Sequence, residues 1–131
     1  MTSTEAQNPV PPKHVLVVED EALATQTIRA VLAADGHTVE TAETAERALA
    51  MFQAGAFDLI ITDFKLAEMD GLELAEAVKK DSPATPIILI TAYAEKLGGT
   101  LGKVSNIDIL LRKPFSMAEL QAAVNSVFRA S

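Results

Sequence analysis

Short, near-continuous apolar runs alternate in this chain with longer stretches whose apolar residues recur every three or four positions. The runs are His14 to Val18, Phe57 to Thr62, Pro86 to Ile90 and Ile107 to Leu111. Unbroken runs of this length predict strands covered on both faces. A weaker alternation from His37 to Ala42 predicts one further strand, second in chain order. The first helical pattern carries Ala24, Ile28, Val31 and Leu32 and stops at Gly36. Thr44 can cap a second helix with Ala45, Ala48, Leu49 and Phe52 inward, ended by Gly55. Asp70 can cap a third, with Leu74, Ala75 and Val78 inward and Asp81-Ser82-Pro83 as its stop. Leu97, Leu101 and Val104 keep a helical face, but Gly98, Gly99 and Gly102 weaken it by roughly 1 kcal/mol each relative to alanine. Ser116 and Glu119 form a capping box for a last helix that faces Met117, Leu120, Val124, Val127 and Phe128 inward.

Five strands alternating with five helices predict an α/β fold, a doubly wound parallel sheet with helices on both faces. Parallel strands need crossover connections, and helices supply them. Residues 1–12, with Pro9, Pro11 and Pro12, read as a disordered lead-in. No internal repeat and no second domain are visible, and the chain is read as one stand-alone domain from residue 13 to residue 131.

Composition narrows the function classes. The chain has no cysteine, which removes disulfides, thiolate metal sites and a cysteine nucleophile. Eighteen acidic residues against 11 basic ones give a net charge of -7, which argues against direct nucleic-acid binding. No apolar run approaches the ~20 residues of a membrane span, and the N-terminus lacks the apolar core of a signal peptide. A cytoplasmic location without membrane insertion is expected.

The chemistry collects at the carboxyl ends of the predicted strands, where open parallel sheets bind ligands. Strand one ends in Glu19-Asp20, strand three in Asp63, strand four in Thr91 and strand five in Lys113. Strand two ends in Ala42-Glu43 and adds less. Taken singly, each residue has an ordinary reading. Asp63 would be a strand-end cap, Glu19-Asp20-Glu21 a solvated helix start, Thr91 a strand residue and Lys113 a surface lysine. Converging in one crevice, the three carboxylates would repel unless a cation joined them. Mg²⁺ suits a few carboxylates with carbonyls and retained waters. With Lys113 it would draw in a phosphoryl group, Thr91 would hydrogen-bond one of its oxygens, and Asp63 would attack phosphorus to form an acyl phosphate.

Glu19-Asp20, Asp63, Asp70-Gly71, Thr91 and Lys113-Pro114, in this order, resemble the receiver domain of two-component response regulators, the family of the chemotaxis regulator CheY. The resemblance spans about residues 14–129. It implies a flavodoxin-like sheet of order 2-1-3-4-5 and phosphorylation of Asp63, dependent on Mg²⁺ (or Mn²⁺), by a sensor histidine kinase, a phosphotransfer protein or a small phosphodonor. The family's metal ligands fall on Glu19, Asp20, Asp63 and the backbone carbonyl of Lys65. Self-catalysed dephosphorylation follows, with Lys65 and Tyr93 at positions that tune phosphoryl lifetime. The peptide bond before Pro114 is often cis in the family. A switching face would include Tyr93, Leu110, Arg112 and Pro114 and would contact a downstream protein.

Three positions depart from the family's pattern. Leu110 stands where an aromatic residue usually couples to the threonine, Ala67 where a proline follows the acceptor, and Glu19 where aspartate is common. Arg112 also reads as a plain surface charge, Tyr93 as partly exposed packing, and His14 and His37 as structural. On this reading the chain is no enzyme beyond catalysing its own aspartyl phosphorylation and dephosphorylation. The alternatives are a phosphate-shuttling relay protein, a degenerate receiver that binds partners unphosphorylated, and an aspartate-nucleophile phosphatase. The last needs two aspartates one residue apart after the first strand, which Val18-Glu19-Asp20-Glu21 does not supply.

Overall fold

The structure, a computed structural model, describes residues 10–92 and 106–129. Five strands, β1 (His14–Val18), β2 (Thr38–Ala42), β3 (Leu59–Asp63), β4 (Ile87–Thr91) and β5 (Ile109–Arg112), form one parallel sheet of order β2-β1-β3-β4-β5. Four helices are seen among the described residues: α1 (Ala22–Ala34), α2 (Ala45–Ala54), α3 (Gly71–Asp81) and α4 (Met117–Arg129). The helix expected around Leu97, Leu101 and Val104 lies outside the described residues, as does Tyr93. Val10, inside the expected lead-in, is buried.

Alternation along the central strands divides the core into two layers. Val15, Val17, Leu59, Ile61, Ile88 and Ile90 face α1 and α4, packing with Ile28, Leu32, Leu120 and Val124. Leu16, Val18, Ile60 and Ile87 face the other way, against Ala45 and Ala48 of α2 and Leu74, Ala75 and Val78 of α3. Both faces are covered, so the strands carry no polar face. This is why they read as apolar runs rather than alternating ones.

The caps are local and match their sequence signatures. The Thr44 side chain accepts the Arg47 N–H. Ser116 and Glu119 exchange the two bonds of a capping box, Ser116 N–H to Glu119 Oε1 and Glu119 N–H to Ser116 Oγ. His14 and His37 are structural. The His14 ring stacks on Phe57 with centroids 4.2 Å apart and lies 2.6 Å from both the Ala56 carbonyl oxygen and Glu40 Oε2. His37 Nδ1 accepts the Lys13 N–H, and burial lowers its pKa below the usual histidine range.

Two strands start later than their apolar runs because an aspartate intervenes. Asp58 exchanges backbone and side-chain bonds with His14 ahead of β3. Ahead of β5, Asp108 Oδ2 accepts the Ile87 N–H at 2.8 Å and Lys79 Nζ at 2.9 Å, while its own N–H donates to the Ile87 carbonyl. This carboxylate therefore ties α3, β4 and β5 together at the end of the sheet opposite the polar strand ends. Asp108→Ala is expected to cost about 2 kcal/mol, because it strips a charged acceptor from the N–H of a fully buried strand residue. Urea unfolding of the two proteins checks this; equal midpoints would refute it.

Candidate functional site

The ladder hydrogen bonds run one residue past the strands and aim the polar ends at one crevice. Glu19 N–H donates to the Ala42 carbonyl, Phe64 N–H to that of Ile90 and Lys113 N–H to that of Thr91. Register then sets Asp63 beside Ile90, and Thr91 beside Arg112. Glu19, Asp20, Asp63, Lys65, Thr91 and Lys113 line one cleft of about 450 Å³.

Carboxylate oxygens of Glu19, Asp20 and Asp63 all lie within 4.8 Å of one another. Lys113 Nζ stands 3.4 Å from Asp63 Oδ2 and 3.6 Å from Glu19 Oε1. The environments of the two paired acids differ from that of the third. The Glu19 side chain is only 3% exposed and that of Asp63 12%, whereas Asp20 is exposed. Burial and the charge of Asp63 raise the Glu19 pKa above its usual value, against the opposing pull of the Glu21 N–H and Lys113. Burial also raises that of Asp63, although Lys113 and the backbone N–H groups of Phe64 and Lys65 hold it back. For Lys113, burial acts downward but the two carboxylates outweigh it, so its pKa lies above the usual lysine range and it stays charged.

Within the cluster itself, the three carboxylates outnumber the one ammonium paired with two of them, in a partly desolvated cleft. That donor set fits a hard divalent cation, with Glu19, Asp20 and Asp63 as the anionic ligands.

The loop after Asp63 is held by backbone contacts. Gly71 N–H donates to the Phe64 carbonyl at 2.7 Å, folding the chain back over the strand end. Asp70 caps α3 in a capping box with Glu73, each side chain accepting the other's N–H. Asp70 is the expected cap; Glu73 is an additional partner, for which the Asp-x-x-Glu spacing is the signal. The N–H that Glu21 donates to Glu19 Oε2 at 3.1 Å has no sequence signature.

The described residues of the expected switching face, Leu110, Arg112 and Pro114, do not line this cleft. Leu110 and Arg112 are exposed on β5. Pro114 follows a cis peptide bond and lines an adjoining apolar groove with Leu23, Ala24, Ile28 and Phe115.

Comparison with known proteins agrees with this geometry. The family model described as the response regulator receiver domain matches residues 15–125. The transcriptional regulatory protein TrcR of Mycobacterium tuberculosis is 32% identical over 120 residues, which cover 92% of this chain and 47% of that protein. The alkaline phosphatase synthesis transcriptional regulatory protein PhoP of Bacillus subtilis is 33% identical over 119 residues, 91% of this chain and 50% of that protein. The chain thus spans about half the length of these curated relatives. Among solved structures, the response regulator TrrA of Thermotoga maritima, in complex with Mg²⁺–BeF, superposes with a TM-score of 0.82 at 33% identity, covering 88% of this chain and 98% of that one. The chemotaxis response regulator CheY4 of Vibrio cholerae gives 0.81 at 32% identity, with 88% and 98% covered. With its five-stranded sheet and its clustered acids, this chain belongs to the response regulator receiver domain family.

Proposed function

We propose that this receiver accepts a phosphoryl group on Asp63 from a histidine kinase, a phosphotransfer protein or a small phosphodonor, and that the reaction requires Mg²⁺ or Mn²⁺. The observation that carries the reading is the placement of Lys113 Nζ within 3.6 Å of both Glu19 and Asp63, at the edge of a carboxylate trio. A bound divalent cation would be held by Glu19, Asp20 and Asp63 and would neutralise charge on the phosphoryl oxygens.

A carboxylate oxygen of Asp63 attacks phosphorus, forming a P–O bond as the donor's P–N or P–O bond breaks. The leaving group departs with the electron pair; an imidazole leaving group takes a proton from solvent. Lys113 orients and neutralises a phosphoryl oxygen, and Thr91 supplies a hydroxyl from the end of β4. In the return reaction water attacks phosphorus, the acyl phosphate P–O bond breaks, and the Asp63 carboxylate is restored with release of inorganic phosphate. The chain catalyses nothing else. Its output is a changed protein-binding surface, and Leu110, 39% exposed on β5, serves that surface without an aromatic ring. The likeness to TrrA, whose structure is a complex with Mg²⁺–BeF, supports a divalent cation in this reading.

Intact-mass measurement after incubation with Mg²⁺ and acetyl phosphate or phosphoramidate tests the proposal. One added phosphoryl group is expected in the native chain and none in Asp63→Asn. No gain with any donor would favour a degenerate receiver, and turnover of a metabolite phosphate would favour an enzyme.

A further inference from the structure

The acceptor cleft and the apolar groove along α1 share a wall made by Glu19, Glu21, Ala92 and Lys113. Glu19 and Asp63 are both paired with Lys113. Glu21 is not: its side chain is exposed, and it makes no ion pair among the described residues. It occupies the N-cap position of α1, yet its carboxylate makes no capping hydrogen bond. At the other described helix starts, Thr44, Asp70 and Ser116 spend their side chains on the cap. Only the backbone of Glu21 serves the site, through the N–H given to Glu19 Oε2. The side chain is a fixed negative charge at the mouth of a cleft whose reaction consumes an anion.

We infer that the Glu21 carboxylate is a specificity determinant that disfavours free, doubly charged phosphodonors relative to less charged ones. This rests on the proposed phosphorylation of Asp63 and deepens it by naming which donor class the site discourages. The carboxylate would act at a distance, through the field at the cleft mouth, and would touch no reacting atom. A dianion passing roughly 8 Å from this charge meets a screened repulsion that slows capture about two- to four-fold near physiological salt. A monoanion meets about half of that repulsion in logarithmic terms. A donor carried on a protein can offset the penalty by bringing a cation of its own to Glu21.

The test compares acetyl phosphate, a dianion near neutral pH, with phosphoramidate, a monoanion, on the full chain at saturating Mg²⁺. Phosphorylation is followed as a second-order rate constant. Glu21→Gln is expected to raise the acetyl phosphate constant about three-fold, and Glu21→Lys to raise it further. Phosphoramidate should gain less from either change, and both gains should shrink as ionic strength rises from ~0.03 M to ~0.5 M. Rates that stay unchanged or fall in both variants would overturn the inference, as would equal gains for the two donors that ignore salt. If Asp63 is phosphorylated and the variants behave in this indifferent way, only the role of Glu21 fails. If the native chain takes no phosphoryl group from any donor, the phosphorylation reading fails and this inference with it.

Discussion

Gly71→Ala is expected to lower stability by about 3 kcal/mol and the thermal midpoint by roughly 10 °C. A Cβ built on Gly71 would stand 2.4 Å from the Asp63 carbonyl oxygen, 2.7 Å from Leu89 Cδ1 and 3.1 Å from Phe64 Cα. Leu89 could swing away, but the other two atoms belong to the backbone of Asp63 and of the residue after it. That backbone is pinned by the Phe64 N–H to Ile90 and by the Gly71 N–H to Phe64. Relief therefore requires moving either the start of α3 or the end of β3, and the second choice carries Asp63 with it. The phosphorylation rate should fall by at least ten-fold, because small misplacements of a nucleophile weigh heavily on in-line attack. Gly55→Ala is the control. A Cβ there meets only ordinary contacts at 3.6 and 3.7 Å, so stability should change by less than about 0.5 kcal/mol. Similar losses in the two variants would show that steric crowding at Gly71 is not the cause.

Gly71 also marks the limit of what the sequence makes legible. Strand and helix types follow from local periodicity, and the caps at Thr44, Asp70 and Ser116 follow from residue type and spacing, so these were readable one segment at a time. The set of strand-end residues was readable as well, since a parallel α/β alternation forces the ends toward one edge. Distances across strands were not. That Glu19 is buried while its neighbour Asp20 is exposed depends on Glu19 N–H bonding to Ala42 and on Lys113 reaching across from the end of β5. The late start of β5 depends on Asp108 meeting Lys79 from α3, a contact spanning 29 residues that no window of sequence contains. The requirement for glycine at position 71 likewise comes from a backbone segment packed against it.

Asp63→Asn is expected to be more stable than the native chain when neither carries a divalent cation, and less stable once Mg²⁺ is abundant. The first half follows from the site's own charges. Burial, and for Glu19 also the charge of Asp63, raise both carboxyl pKa values on folding from references of 4.5 and 3.8. A carboxyl raised in this way favours folding below its unfolded pKa, and the advantage is lost as pH rises through the folded value. The metal-free native protein therefore folds against the cost of two partly desolvated acids that share one paired lysine, Lys113. Asparagine removes one acid at nearly constant shape and leaves Lys113 paired with Glu19, so the variant should be the more stable of the two at pH 7. The gain should vanish as pH falls below about 4, where the native carboxyl is itself neutral. The second half follows from linkage. At a Mg²⁺ concentration 100-fold above its dissociation constant, the native protein gains about 2.7 kcal/mol, and a variant left with Glu19 and Asp20 gains less. Chemical denaturation at pH 7 across a Mg²⁺ series should show the two stabilities crossing. A variant less stable than the native chain even in excess chelator would mean that Lys113 already neutralises the site in full, and the case for a divalent cation there would lose its electrostatic basis.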